Sequence, residues 1–364
     1  MIEAVELRRV ALPLVTPFRT SFGTQTVRDA LLVRVLTATA EGWGECVALP
    51  EPLYSEEFVD GAERVIQDHL LPRLWPVADP AEVSPALAAV KGHPMAKAAV
   101  EGAVLDAWLR ARGTSLACHL GGTRETVEVG VSVGIADSVP ALIEQVDGYV
   151  ADGYRRVKLK IEPGWDVMPV RAVRERQPDL LLQVDANGAY RLEDAAALAA
   201  LDAFDLLLVE QPLAEHDLRG HAELARRLTT PICLDESIRS SASAVEAIES
   251  GACAIVNIKA GRVGGYLEAR RIHDVCVERS VPVWCGGMLE TGIGRAANLA
   301  LASLPGFTLP GDLSASARYF HADVTAPFEL EDGRLRVPSG PGLGVDPLPE
   351  RLAELTTSVE VVRP

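Results

Sequence analysis

The amino-acid sequence predicts an α/β fold in which a (β/α)8-type barrel follows a smaller α+β domain. From about residue 126, short β-branched or Leu-rich runs alternate with Ala-rich amphipathic stretches, the pattern of successive βα units on a parallel sheet. Within them Lys160, Asp185, Glu210, Asp235 and Lys259 recur at intervals of 25, 25, 25 and 24 residues. One βα unit separates each from the next, as expected of side chains near the C-terminal strand ends of a barrel.

The first 125 residues lack this repeat. They open with VELRRVALPLVTPFRTSFGTQTVRDALLVRVLT, which reads as two or three antiparallel strands around a polar RTSFGTQ turn. Later, AKAAVEGAVLDAWLRARG sets small and apolar residues at helical spacing and stops at Gly113. Eight strand candidates follow: VEVGVSVG, RVKLKIEP, LLLQVDANG, LLLVEQPL, PICLDES, AIVNIKAG, VPVWCGG and FTLPGD, separated by helix-like segments such as LEDAAALAALDAF. Beyond about residue 320, PFELEDGRLRVPSGPGLGV reads as a hairpin around Asp332-Gly333 and a Gly/Pro-rich loop. The expected division is a capping domain over 1–125, a barrel over 126–320, and a segment over 321–364 that returns to the first domain.

Composition limits the function. With 48% hydrophobic and 24% charged residues the chain reads as soluble and globular, and no apolar run approaches the length that crosses a bilayer. The start, MIEAVELRRV, lacks the order of a secretory signal, so a cytoplasmic location is expected. Six cysteines without CxxC spacing read as reduced core residues. A formal charge of -16 repels phosphate backbones and anionic membranes, which leaves a small molecule as the expected partner rather than nucleic acid or a membrane.

In YRRVKLKIEP, alternation puts Val157, Leu159 and Ile161 on one side and Lys158 and Lys160 on the other. Alone, such a pair reads as a solvated edge. The facing repeats, however: Gln183, Asp185 and Asn187 share a side, Glu210 alternates with Val209, Cys233 pairs in phase with Asp235, and Asn257 with Lys259. Each acid singly could cap a helix or meet a surface arginine. Five residues with one period and one facing point to a shared interior site. Lys160 and Lys259 fall on the second and sixth strands, opposite walls of an eight-stranded barrel.

Three converging carboxylates repel one another unless a cation joins them, and all-oxygen donors suit a hard ion such as Mg²⁺ or Mn²⁺. The lack of His or Cys at these positions argues against zinc. A metal flanked by lysines suits removal of a proton from carbon beside a carboxylate, with stabilisation of the enediolate. The base must be neutral, and Lys158 is expected to lower the Lys160 pKa as a neighbouring like charge.

Over essentially its whole length the chain resembles the enolase superfamily, in its muconate-lactonising branch, through KLK (158–160), VDANGAY (184–190), EQPL (210–213), LDES (234–237) and NIKAGRVGG (257–265). A lysine base with Mg²⁺ is that superfamily's known logic. PFRTSFGTQ (17–25), GWGECVA (42–48), PLYSEE (52–57) and CGGMLETGIGRAAN (285–298) more narrowly resemble the N-acylamino acid racemase (N-succinylamino acid racemase)/o-succinylbenzoate synthase family.

The resemblance implies a modified (β/α)7β barrel with an α+β capping domain. It implies Lys160 and Lys259 as the acid/base pair and Asp185, Glu210 and Asp235 as ligands of a divalent metal, Mg²⁺ with Mn²⁺ or Co²⁺ as alternatives. Lys158 and Asn187 would lie beside the substrate carboxylate or the metal. Ser132, Gly287, Met288 and Leu289 would line an N-acyl pocket, covered by a capping-domain loop with Arg19, Phe22 and Gly23 and by Tyr54 on a second loop. Glu236 is ambiguous: alternation turns it away from the interior where the strand is regular, and it is expected as a partner that backs a lysine.

The implied activity is racemisation of N-acyl (N-succinyl) amino acids through an enediolate, together with o-succinylbenzoate synthase activity, by a homo-oligomer (octamer or dimer). The alternative is o-succinylbenzoate synthase of menaquinone biosynthesis as the main activity. A dipeptide epimerase would need an acidic grip at the eighth strand, where FTLPGDLSAS offers Asp312 alone; a lactonising enzyme would share the ring. Retention of both lysines and three acids argues against a non-catalytic metal-binding scaffold.

Overall fold

The computed structural model describes residues 1–364. Two sheets organise it. Strands β1 (Ile2–Thr20), β2 (Gly23–Thr37) and β3 (Glu41–Cys46) form an antiparallel sheet, and a fourth strand from the far end of the chain (Thr356–Val362) pairs with the outer edge of β1.

β1 and β2 make a long hairpin whose tip is Ser21-Phe22, with Thr20 paired to Gly23. Its register slips between Pro13 and Phe18, where Pro13 and Pro17 remove ladder donors. Beyond the slip the tip meets the barrel: the Ile135 N–H donates to the Arg19 carbonyl at 3.0 Å. The helix Pro94–Arg110 covers β3 at very close range, for a Cβ on Gly44 would stand 2.0 Å from the Ala99 carbonyl oxygen. Only glycine allows that backbone contact.

The second sheet is parallel, in the order β5 to β11: Val131–Val133, Arg156–Lys160, Leu181–Asp185, Val209–Glu210, Ile232–Leu234, Ile255–Ile258 and Val283–Cys285. The run VEVGVSVG predicts a single strand. The chain splits it into β4 (Thr126–Glu128), which pairs with β12 (Arg334–Arg336), and β5. FTLPGD closes the barrel as an extended segment rather than a regular strand, because Pro310 has no N–H to give. Thr308 donates to Val283 and Asp312 to Cys285 on one side, and Gly130 donates to Gly311 on the other, at 3.2, 2.9 and 2.8 Å. The Asp332-Gly333 turn has both φ angles positive, 52° and 75°, as a tight hairpin turn requires.

Packing the strands against their helices produces one large apolar core, and a second lies between the antiparallel sheet and its helices. All six cysteines are unpaired thiols, and all but Cys118 are buried. No helix is long and apolar enough to cross a membrane.

Candidate active site

Register fixes the height of each charged side chain. Lys160 pairs with Asp185, Asp185 with Glu210, Glu210 with Cys233, and Cys233 with Ile255. Lys259 therefore lies four residues beyond the register partner of Lys160 after four strand steps. A closed eight-stranded barrel of this type climbs about one residue per strand, its shear being about 8. The two lysines consequently stand at one height on opposite walls. By the same rule Asp185 and Asp235 sit one residue deeper and Glu210 two. The period of 25 thus describes a bowl rather than a level ring, with carboxylates as its floor.

Below the lysine rim, alternate strands supply a polar layer of four side chains, the usual filling of a barrel interior. It consists of Lys158, Glu210, Asn257 and Asp312. The Lys158 ammonium contacts Glu210 Oε2 at 2.8 Å, Asp312 Oδ2 at 2.5 Å and Asp185 Oδ2 at 3.2 Å, and Asn257 Nδ2 donates to Glu210 Oε1 at 2.7 Å. Burial opposes the charge on Lys158, but Asp312, Glu210 and Asp185 outweigh it and hold the ammonium well above the usual lysine range. Lys158 is thus a cation beside Lys160 that three anions enclose.

The rim is equally occupied. Lys160 Nζ donates to Asp185 Oδ2 at 2.5 Å and to Asn187 Oδ1 at 2.6 Å. Lys259 Nζ reaches Asp235 Oδ2 at 2.8 Å and the Tyr54 hydroxyl at 3.1 Å, while Arg262 donates to Asp235 Oδ1 at 2.7 Å. Burial opposes the Lys259 charge, and Asp235 more than restores it. Glu210 is pushed up to about 8, first by burial and then by repulsion from Asp185.

Glu236 backs a lysine through Asn187. β9 ends at Leu234, so strand alternation no longer governs the next residues, and Glu236 turns toward the mouth. Its Oε1 accepts from Asn187 Nδ2 at 2.9 Å, making it a partner of the residue that holds Lys160. Burial, with repulsion from Asp235 and Asp185, raises it to about 7.

Above the bowl opens a cavity of about 290 Å³. Lys158, Lys160, Asn187, Lys259 and Asp312 form its charged end; Phe22, Gly23 and Tyr54 wall it from the capping side, and Ser132, Gly287, Met288 and Leu289 from the barrel. The Phe22 and Tyr54 rings stand 5.8 Å apart, so the two covering loops touch. Arg19 remains half-exposed, near Asp137 and Glu162 at 3.8 and 3.9 Å.

Several groups at the site were not singled out from the sequence. Arg156, two residues before Lys158, extends the same face and pairs with Asp312 at 2.5 Å; alternation could have found it. Gly286 leaves room that a Cβ would fill, at 2.4 Å from Asn257 Oδ1 and 2.7 Å from Lys259 Cε. Arg262 comes from the helical turn after β10, and no sequence periodicity marks it.

No three His, Cys, Asp or Glu side chains gather into a ready-made ligand cage, because lysines stand between the acids. The donor chemistry nevertheless fits a hard cation. Asp185 and Glu210 end their strands and Asp235 follows the end of the next, and the buried acceptor oxygens Glu236 Oε2 and Asn257 Oδ1 have no hydrogen-bond donor, a costly state unless a positive group faces them.

Residues 2–121 match the mandelate racemase / muconate lactonizing enzyme N-terminal domain, and 141–351 the enolase C-terminal domain-like family. The chain is 63% identical to an N-succinylamino acid racemase of an Amycolatopsis species over 98% of both chains. It is 51% identical to an o-succinylbenzoate synthase of Geobacillus kaustophilus, over 95% of this chain and 93% of that one. A solved enolase-superfamily member from Listeria innocua superposes with a TM-score of 0.95 at 42% identity, covering 100% of this chain and 99% of the other. The chain belongs to the mandelate racemase / muconate lactonizing enzyme family of the enolase superfamily.

Proposed function

We propose that this enzyme racemises N-acyl amino acids, N-succinyl amino acids in particular, by transferring the α-proton between Lys160 and Lys259. The observation that carries the reading is the placement of these two lysines at one height on opposite walls of one cavity. A flat carbanionic centre held between them can lose a proton to one face and gain one at the other. The neutral lysine breaks the Cα–H bond and becomes an ammonium; the opposite ammonium forms the new bond and becomes neutral.

Asp185, Glu210 and Asp235 would hold a divalent metal, Mg²⁺ in the first instance. Such an ion supplies positive charge against the negative charge that develops on the substrate carboxylate. Lys158, kept cationic by its three anionic neighbours, adds a fixed charge at the floor of the cavity. Tyr54 ties the capping side to Lys259 and, with Phe22, excludes water from the charged end. Ser132 Oγ, buried beside the cavity without a partner, is available to an acyl carbonyl.

The o-succinylbenzoate synthase reaction fits the same residues, with Lys160 as base and Lys259 as a charge that stabilises the enediolate; the resemblance to both named activities supports carrying the two together. A dipeptide's ammonium would find no free acid at the eighth strand, since both oxygens of Asp312 are bound to Arg156 and Lys158. The same reading includes a cytoplasmic homo-oligomer, which light scattering on the purified protein tests.

Incubation of the Mg²⁺-loaded protein with N-succinyl-L-phenylalanine in D₂O, and in parallel with the o-succinylbenzoate precursor, tests the activity. Racemisation with deuterium uptake at Cα is expected. Metal binding with neither exchange nor dehydration would refute it.

A further inference from the structure

The polar layer contains a carboxylate that faces two cations and belongs to none of the three acids of the floor. Asp312 lies on the segment that closes the barrel. Its Oδ1 accepts from Arg156 at 2.5 Å and its Oδ2 meets Lys158 at 2.5 Å. Arg156 is fully buried, anchored to the Pro310 carbonyl at 2.7 Å and stacked 5.5 Å above the Trp284 ring. The carboxylate is thus oriented from beneath, and its other oxygen points at the Lys158 ammonium.

Lys158 otherwise leans on Glu210 and Asp185, two of the carboxylates that the proposed function assigns to a metal. If those were its only anionic partners, a cation entering the bowl would have to strip a buried ammonium of every counter-charge, and buried unpaired charge is very costly. We infer that Asp312 is a positioning residue that holds Lys158 in place of Glu210 and Asp185, freeing those two carboxylates for the divalent cation. The inference rests on the metal reading above but concerns a different residue and a different step. Arg156 completes the arrangement by keeping Asp312 aimed.

The test is calorimetric titration of MgCl2 into substrate-free protein. Asp312→Asn keeps the side-chain shape and one acceptor but removes the charge, so Lys158 must fall back on Glu210 and Asp185 and compete with the ion. Mg²⁺ affinity is expected to drop at least tenfold, roughly 1.4 kcal/mol. Adding Lys158→Met to Asp312→Asn removes the competing ammonium and is expected to bring the affinity back to within threefold of wild type or tighter. A merely structural role for Asp312 would not give that recovery.

Circular dichroism monitors the fold of each variant. Should Asp312→Asn leave Arg156 unpaired and the chain unfolded, Arg156→Met/Asp312→Asn removes both members of the buried pair and carries the same expectation, with and without Lys158→Met. Wild-type binding with unchanged affinity in the Asp312 variant, or a loss that Lys158→Met does not repair, would overturn the inference alone. Absence of Mg²⁺ binding by the wild type would overturn the metal reading and this inference with it.

Discussion

Gly286 offers a direct test of how closely the reaction depends on the placement of one lysine. In Gly286→Ala the new Cβ would lie 2.7 Å from Lys259 Cε and 2.4 Å from Asn257 Oδ1, whereas ordinary contact begins at 3.4 Å. To reach ordinary contact the lysine retreats by 0.7 Å and the amide by 1.0 Å (3.4 less 2.7 and 2.4). Both contacts are with side-chain ends, so the barrel itself has no reason to unfold. A misplacement of about 1 Å at a reacting group costs about 10²-fold in rate, roughly 2.7 kcal/mol. The loss should be one-sided, because Lys160 on the opposite wall is untouched. Following deuterium uptake separately for the two enantiomers of N-succinylphenylalanine, we expect exchange of one to fall about 100-fold and exchange of the other to change much less. Equal losses for both, or rates within threefold of wild type, would refute the reasoning.

Lys160→Ala and Lys259→Ala should each abolish racemisation, measured by optical rotation, while either can retain exchange of one enantiomer; full racemisation by either variant would sink the two-base mechanism. Asp185→Ala should lose Mg²⁺ affinity in calorimetry together with turnover, and normal values for both would remove Asp185 from the site. Gly44→Ala forces a Cβ to 2.0 Å from the Ala99 carbonyl oxygen, and with backbone on both sides a cost of at least about 3 kcal/mol is expected in denaturant unfolding. Burial pushes Glu45 up to about 7, above its unfolded value of about 4.5. Its contribution to stability is thus fully present below about 4.5 and is lost as pH rises through 7. Thermal midpoints of Glu45→Gln should decline less than wild type over that interval, and parallel curves would exclude the effect.

Much of the site was legible because βα units of nearly constant length turn a linear period into a spatial one. Lys160, Asp185, Glu210, Asp235 and Lys259 could be placed on shared strands' ends from spacing alone, and facing followed from alternation. Depth was not legible: whether these residues form a level ring or a bowl depends on hydrogen-bond register between strands, which sequence spacing does not encode. The direction of Glu236 was not legible from alternation, because β9 ends two residues before it, but its place behind a lysine was. Arg156 was within reach of the same parity that found Lys158. Asp312, by contrast, could be seen only as an acid near the eighth strand, since its partners come from 154 and 156 positions earlier. Long-range contacts such as Glu45 with Thr291 across 246 residues leave no periodic trace at all.

The β1–β2 hairpin separates two kinds of information in this molecule. Its base is tied into the antiparallel sheet, and its tip, past the slip at Pro13 to Phe18, supplies Phe18, Thr20, Phe22 and Gln25 to the cavity wall but none of the charged groups beneath. Phe22 and Lys158 are 136 positions apart in the chain. The capping-side wall of the cavity and the charged groups beneath it are therefore written in different passages of the gene product. Changes at the tip can reshape that wall while Lys158, Lys160 and Lys259 stay fixed, so divergence in the shape of the cavity need leave no mark on its charged end.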